Sequence, residues 1–95
     1  MNVDRNQLLQ LVARAGRMTD EALAASPSAP MFRSIRLQLD AIRADVARGG
    51  AFDPETQRRV NIGLLAVREF EQTDPEYADV LERISFLYQD EGVLR

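Results

Sequence analysis

Apolar residues recur at helical spacing along nearly the whole chain, and a few short breaks cut that pattern into four segments. Nothing shows the period-two alternation of strands. The first segment runs from about Asp4 to Ala25, with Leu8, Leu11, Val12, Ala15, Met18 and Ala22 on one face. Ser26-Pro27-Ser28-Ala29-Pro30 ends it, because proline cannot continue a helix but can open the next one. The second runs from about Met31 to Arg48, striped by Phe32, Ile35, Leu39, Ile42 and Val46, and Gly49-Gly50 closes it. The third begins at Asp53-Pro54-Glu55 and the fourth at Thr73-Asp74-Pro75-Glu76. In both, an aspartate can accept from the free amides of the first turn, and proline has no amide to leave unsatisfied. Val60, Gly63, Leu64, Val67 and Phe70 form the expected stripe of the third helix. Tyr77, Val80, Leu81, Ile84, Leu87 and Tyr88 form that of the fourth, which Gly92 should end. The pattern predicts an all-α fold, a small antiparallel four-helix bundle, with residues 1–95 as one helical domain.

The residue types that are missing bound the chemistry. The chain has no His, Cys, Trp or Lys, and all 12 basic residues are Arg. The commonest general base and the strongest nucleophile are therefore gone. Zinc and haem lose their usual ligands, and neither a Schiff base nor a P-loop lysine is available. The expectation is a protein that is not an enzyme and carries no cofactor. The polar start Met1–Gln7 is unlike a secretory signal, no apolar run approaches the ~20 residues of a membrane span, and cysteine is absent. A cytoplasmic location is expected.

Charge is unevenly placed within a net −3. Residues 1–50 carry seven Arg against five acids, whereas residues 51–95 carry five against ten. Glu69, Glu71, Asp74, Glu76, Asp79 and Glu82 follow one another with no basic residue among them. Such a patch repels phosphates, so neither nucleic acid nor an anionic membrane is an expected partner, and a basic protein surface is. A plain solvated helix face would carry the same charges.

Some apolar residues fall off the stripes. Leu37 lies opposite that of the second helix, between Arg33 and Asp40; Ile62 and Leu65 lie on the far side of the third. Phe86 lies opposite the stripe of the fourth, among Asp79, Glu82, Arg83 and Asp90. A central helix covered on two sides would account for Ile62 and Leu65. Phe86 reads as an interface anchor, since exposed aromatics are favoured in that role. Arg33, Arg36 and Arg43 with Asp40 can form a ladder of ion pairs on the second helix, or reach a partner's carboxylates. Glu76, Asp79 and Glu82 recur every three residues, as in helical magnesium sites, but such sites need acids from a facing helix as well.

Two stretches resemble a known family. Ser34-Ile35, Gln38-Leu39 and Ile42-Arg43 in SIRLQLDAIR form one; GLLAVREFEQTDPE, from Gly63 to Glu76, forms the other. Both resemble the bacterial type VI secretion immunity family that neutralises an NAD(P)+ glycohydrolase effector, a related member of which blocks an alarmone-synthesising effector. The resemblance implies a small cytoplasmic antidote that binds the catalytic domain of a cognate secreted toxin and covers its nucleotide site, with no catalytic residues of its own. Within the matched stretch, the apolar Ala66, Val67 and Phe70 are expected in the core, and the charged Glu69, Glu71 and Asp74 are expected to be exposed, which makes them interface candidates. Asp79, Glu82, Phe86, Arg33, Leu37 and Asp40 complete the partner-binding candidates. The alternatives are a helical adaptor that forms a homodimer through Leu37, Ile62 and Leu65, and a magnesium-dependent hydrolase using Glu76, Asp79 and Glu82.

Overall fold

In the computed structural model, which describes residues 4–91, three of the helices start where an aspartate takes an unpaired amide. Asp4 accepts from the Gln7 N–H at 3.0 Å and opens α1, Arg5–Ala25. Asp53 accepts the N–H of Thr56 at 3.2 Å and its hydroxyl at 2.7 Å, and opens α3, Pro54–Arg59. Asp74 accepts from the Tyr77 N–H at 3.2 Å and opens α5, Pro75–Ser85. Between them, α2 spans Pro30–Arg48 and relies on Pro30, which has no amide to cap. Helix α4, Ile62–Leu65, winds on as a π-helical turn over Ala66–Phe70, and α5 does the same over Phe86–Glu91. Gly49 and Gly50, at φ 84° and 75°, end α2 in backbone that other residues rarely adopt. The described residues form no strand, and the fold is all-α. Gly92, expected to end the last helix, lies outside the described residues.

Cross-links set the directions. The Arg5 guanidinium donates to the carbonyls of Val46, at 2.9 Å, and of Gly50, so the start of α1 meets the end of α2. Thr19 shares a 2.7 Å hydrogen bond with the Tyr77 hydroxyl, so the end of α1 meets the start of α5. Both neighbours of α1 are therefore antiparallel to it. Helices α4 and α5 cross at Gly63, where an added Cβ would lie 2.6 Å from Ser85 Oγ. The core draws Leu8 and Val12 from α1, and Ile35, Leu39, Ile42 and Val46 from α2. From α5 it takes Val80, Leu81, Ile84 and Tyr88, all as the stripes predict.

The third segment departs from expectation. It is two helices, not one, because the chain is extended at Val60 (φ −75°, ψ 130°) and turns at Asn61. Two glutamines from other helices take the backbone groups this break exposes. Gln38 of α2 accepts the Asn61 N–H and donates to its side-chain oxygen, both at 2.7 Å. Gln89 donates to the carbonyls of Gln57 and Val60, both at 2.7 Å. With its unpaired groups satisfied, the break costs little. It also resets the helical phase. Ile62 and Ala66 are fully buried, while Leu64 and Val67, expected in the stripe, are 55% and 51% exposed. The homodimer face drawn through Leu37, Ile62 and Leu65 is thereby corrected: Ile62 is core, and Leu65 is half-buried against it.

Asp45 is a buried charge on the inner face of α2. Its Oδ2 accepts from the Tyr88 hydroxyl at 2.5 Å and from the Asp53 N–H at 2.9 Å, and its Oδ1 pairs with Arg48. Burial, and then the hydrogen bond and charge of Asp45, push the Tyr88 phenol well above the ordinary tyrosine range. A buried carboxylate is tolerated only with such partners, and removing one side of the set strands the others. Asp45→Ala should lower unfolding stability by about 3 kcal/mol in urea. A loss of under about 1 kcal/mol, the worth of an ordinary exposed pair, would contradict this role.

Candidate protein-binding surface

The acidic run spans the last turn of α4, the turn that follows and the outer face of α5. The turn is closed by its own polar groups: the Thr73 hydroxyl donates to the Glu69 carbonyl at 3.0 Å, and Asp74 caps α5. Glu69, Glu71, Asp74, Glu76 and Asp79 are exposed, and Glu82 is half-buried. Glu71, Asp79 and Glu82 line a hollow of about 290 Å³ with Pro75 and Ala78. Asp79 and Glu82 also line a second hollow, of about 300 Å³, with Phe86, Arg83 and Leu87 of α5 and Gln7 and Leu11 of α1. The two share Asp79 and Glu82, so they form one continuous surface. Phe86 stands on it, 52% exposed. The Asp90 side chain, expected beside Phe86, lies outside the described residues.

Folding brings cations that the acidic stretch lacks. Arg14 of α1 pairs with Glu76, and Arg83 pairs with Asp79 at 2.9 Å. Glu71 and Glu82 have no basic partner among the described residues. They line the same hollow. Desolvation raises the Glu82 pKa, and a hydrogen bond with Glu71 and the charges of Glu71 and Asp79 raise it further. Among the described residues no three acidic side chains are grouped as a metal ion requires, so Glu76, Asp79 and Glu82 do not make the magnesium site of the hydrolase alternative.

The other candidates lie elsewhere. Arg33 and Leu37 line a third hollow, of about 630 Å³, between α2 and the end of α3. Asp40 pairs with Arg36 at 3.7 Å, and Arg36 also reaches Asp20 of α1 at 3.5 Å, which places Asp40 on the α1–α2 side. The ladder expected on α2 is reduced to that pair: Arg33 and Arg43 make no ion pair among the described residues. Thus Glu71, Asp79, Glu82 and Phe86 gather on one surface, Glu69 and Asp74 sit at the turn leading into it, and Arg33, Leu37 and Asp40 do not join it. Sequence reasoning missed Val67, exposed one turn before Glu71, because its phase assumed an unbroken helix. It also missed Gln7 and Leu11; Leu11 was expected in the α1 stripe and is half-buried at the edge of this surface.

The Tsi6 family model matches residues 7–90, nearly the full set of helices. The chain belongs to the Tsi6 family. That name is the name of a type VI secretion immunity protein. No curated protein and no solved structure matches the chain. In this Tsi6-family member no helix among the described residues is long and apolar enough to cross a membrane.

The Glu71–Glu82 contact has a testable cost. A carboxyl whose pKa is raised by folding contributes stability at low pH and loses it as pH rises through the folded value. The repulsion therefore grows as Glu82 ionises. Glu82→Gln should melt higher than wild type at pH 7, and the difference should shrink as pH falls through the carboxylate range. A variant that melts lower at pH 7 would show that the contact stabilises.

Proposed function

We propose that this chain is a non-enzymatic, cytoplasmic immunity protein that binds the catalytic domain of a cognate type VI secretion effector and occludes its nucleotide- or NAD-binding site. Membership of the Tsi6 family supports the class. The observation that carries the choice of surface is the unneutralised Glu71–Glu82 pair beside the exposed Phe86 ring. A fold under selection for stability alone gains nothing by keeping two carboxylates in contact, whereas a surface shaped for a basic partner does.

The chemistry of the two surfaces matches. A cleft that holds the phosphates of a nucleotide is lined with positive charge, and carboxylates are its complement. Phe86 supplies apolar area that a desolvated contact can bury, and aromatics of this kind carry a large share of interface energy. Arg14 and Arg83 hold Glu76 and Asp79 in place, so the charges are presented with little loss of side-chain freedom. The chain's lack of His, Cys and Lys fits inhibition by occlusion rather than by chemistry.

Co-expression with the toxin domain of its cognate effector should restore growth and yield a stable complex. Glu71→Arg with Glu82→Arg should slow association about tenfold or more and flatten its salt dependence. Phe86→Ala should speed dissociation while leaving the melting temperature unchanged. Association rates that do not respond to the charge reversals would remove this surface from the mechanism, and absence of both rescue and complex would remove the function.

A further inference from the structure

The hollow between α2 and α3 shares no lining residue with the Phe86 surface, so it is free of the proposed toxin contact. Leu37, Ala41, Val60 and Pro30 give it an apolar lining, Arg33 and Arg59 are its charged members, and no carboxylate lines it. Leu37 is 70% exposed there, the largest exposure of any large apolar side chain among the described residues. Arg33 makes no ion pair among the described residues, and the Arg59 side chain, 78% exposed, reaches Glu55 at 3.3 Å. The reciprocal amide pairing of Gln38 with Asn61 fixes the two walls against each other, so the hollow exists before anything enters it.

The same chain carries the complement of this hollow. On the outer face of α5 an exposed aromatic, Phe86, stands beside the carboxylates of Asp79 and Glu82. One surface offers a ring beside acids, and the other an apolar trough beside guanidiniums, whose planar fork suits carboxylates. We propose that the α2–α3 hollow receives the Phe86 turn of a second copy of this chain, with Arg33 and Arg59 meeting that copy's Asp79 and Glu82. The contact joins two different surfaces, so assembly is head-to-tail. Phosphates of a nucleic acid would also suit the two arginines, but the apolar lining and the chain's net −3 favour a protein. Because the contact uses the acidic surface, toxin and second copy exclude each other. That exclusion rests on the function proposed above, whereas self-association does not and is tested on the isolated protein.

Sedimentation velocity on the wild type and two double variants tests it. One variant reverses the hollow, Arg33→Glu with Arg59→Glu; the other reverses the acidic surface, Asp79→Arg with Glu82→Arg. Arg33, Arg59 and Asp79 are exposed and Glu82 is half-buried, and circular dichroism checks that the helices remain. The wild type should grow heavier with concentration, and less so at high salt. Each variant alone should associate about tenfold more weakly or less still, by like-charge repulsion. Mixing the two should restore association, since every contact in the mixture again joins opposite charges. A wild type that stays monomeric at all concentrations, a variant that associates as the wild type does, or a mixture that stays monomeric would overturn the proposal. So would binding of a DNA duplex through Arg33 and Arg59 by a chain that does not self-associate.

Discussion

The carboxylate of Asp45 is where the chain is tied together. It lies inside the protein at the end of α2 and accepts from Tyr88 at the end of α5 and from the backbone at the start of α3. The Tyr88 ring packs against Phe52 at 5.0 Å, and the Arg5 guanidinium lies over Phe52 at 4.8 Å, so the start of α1 is drawn in as well. Four elements therefore converge on one charge. At the other end of the bundle Tyr77 shares its hydroxyl with Thr19 and packs edge-on against Phe70, which stacks on Phe32. Helix α5 is thus held at both ends by its two tyrosines. Its outer face, bearing Asp79, Glu82 and Phe86, is presented on a fixed support, and a surface that does not reorganise loses less free energy on binding.

Much of this was legible because it rests on local chemistry. Asp4, Asp53 and Asp74 cap the helices they precede, and the stripes of α1, α2 and α5 are buried where their spacing puts them. The exposure of Leu37 and Phe86 followed from the same spacing. The third segment was not legible, because what stabilises its break lies far away in the chain. Gln38 and Gln89 satisfy the backbone at Val60 and Asn61 from other helices, and no pattern inside the segment announces them. Once the phase was reset there, the positions of Ile62, Leu64 and Val67 had to be misread. Asp45 carried a signal that was available: it stands three residues after Ile42 and next to Val46, on the buried side of its helix, where a charge calls for a partner.

The acidic surface was legible as a run of charge and not as an arrangement. Arg14 lies far from Glu76 in sequence, and only the packing of α1 on α5 brings them together. The result is a surface with two kinds of carboxylate. Glu76 and Asp79 are each held by an arginine of the chain itself. Glu71 and Glu82 repel each other, and nothing inside the described chain relieves them. Uncompensated charge beside an exposed ring distinguishes a binding surface from a merely solvated helix, and it is why we propose this surface as the partner's.

The most direct measurement is a crystal structure of the chain bound to the catalytic domain of its cognate effector. Phe86, Glu71 and Glu82 are expected to be buried against the mouth of the nucleotide site, with arginines or lysines of the toxin within ion-pair distance of the two glutamates. A complex in which that mouth stays open, or in which the toxin sits on the α1–α2 side around Asp40 and leaves Phe86 in solvent, would contradict the assignment.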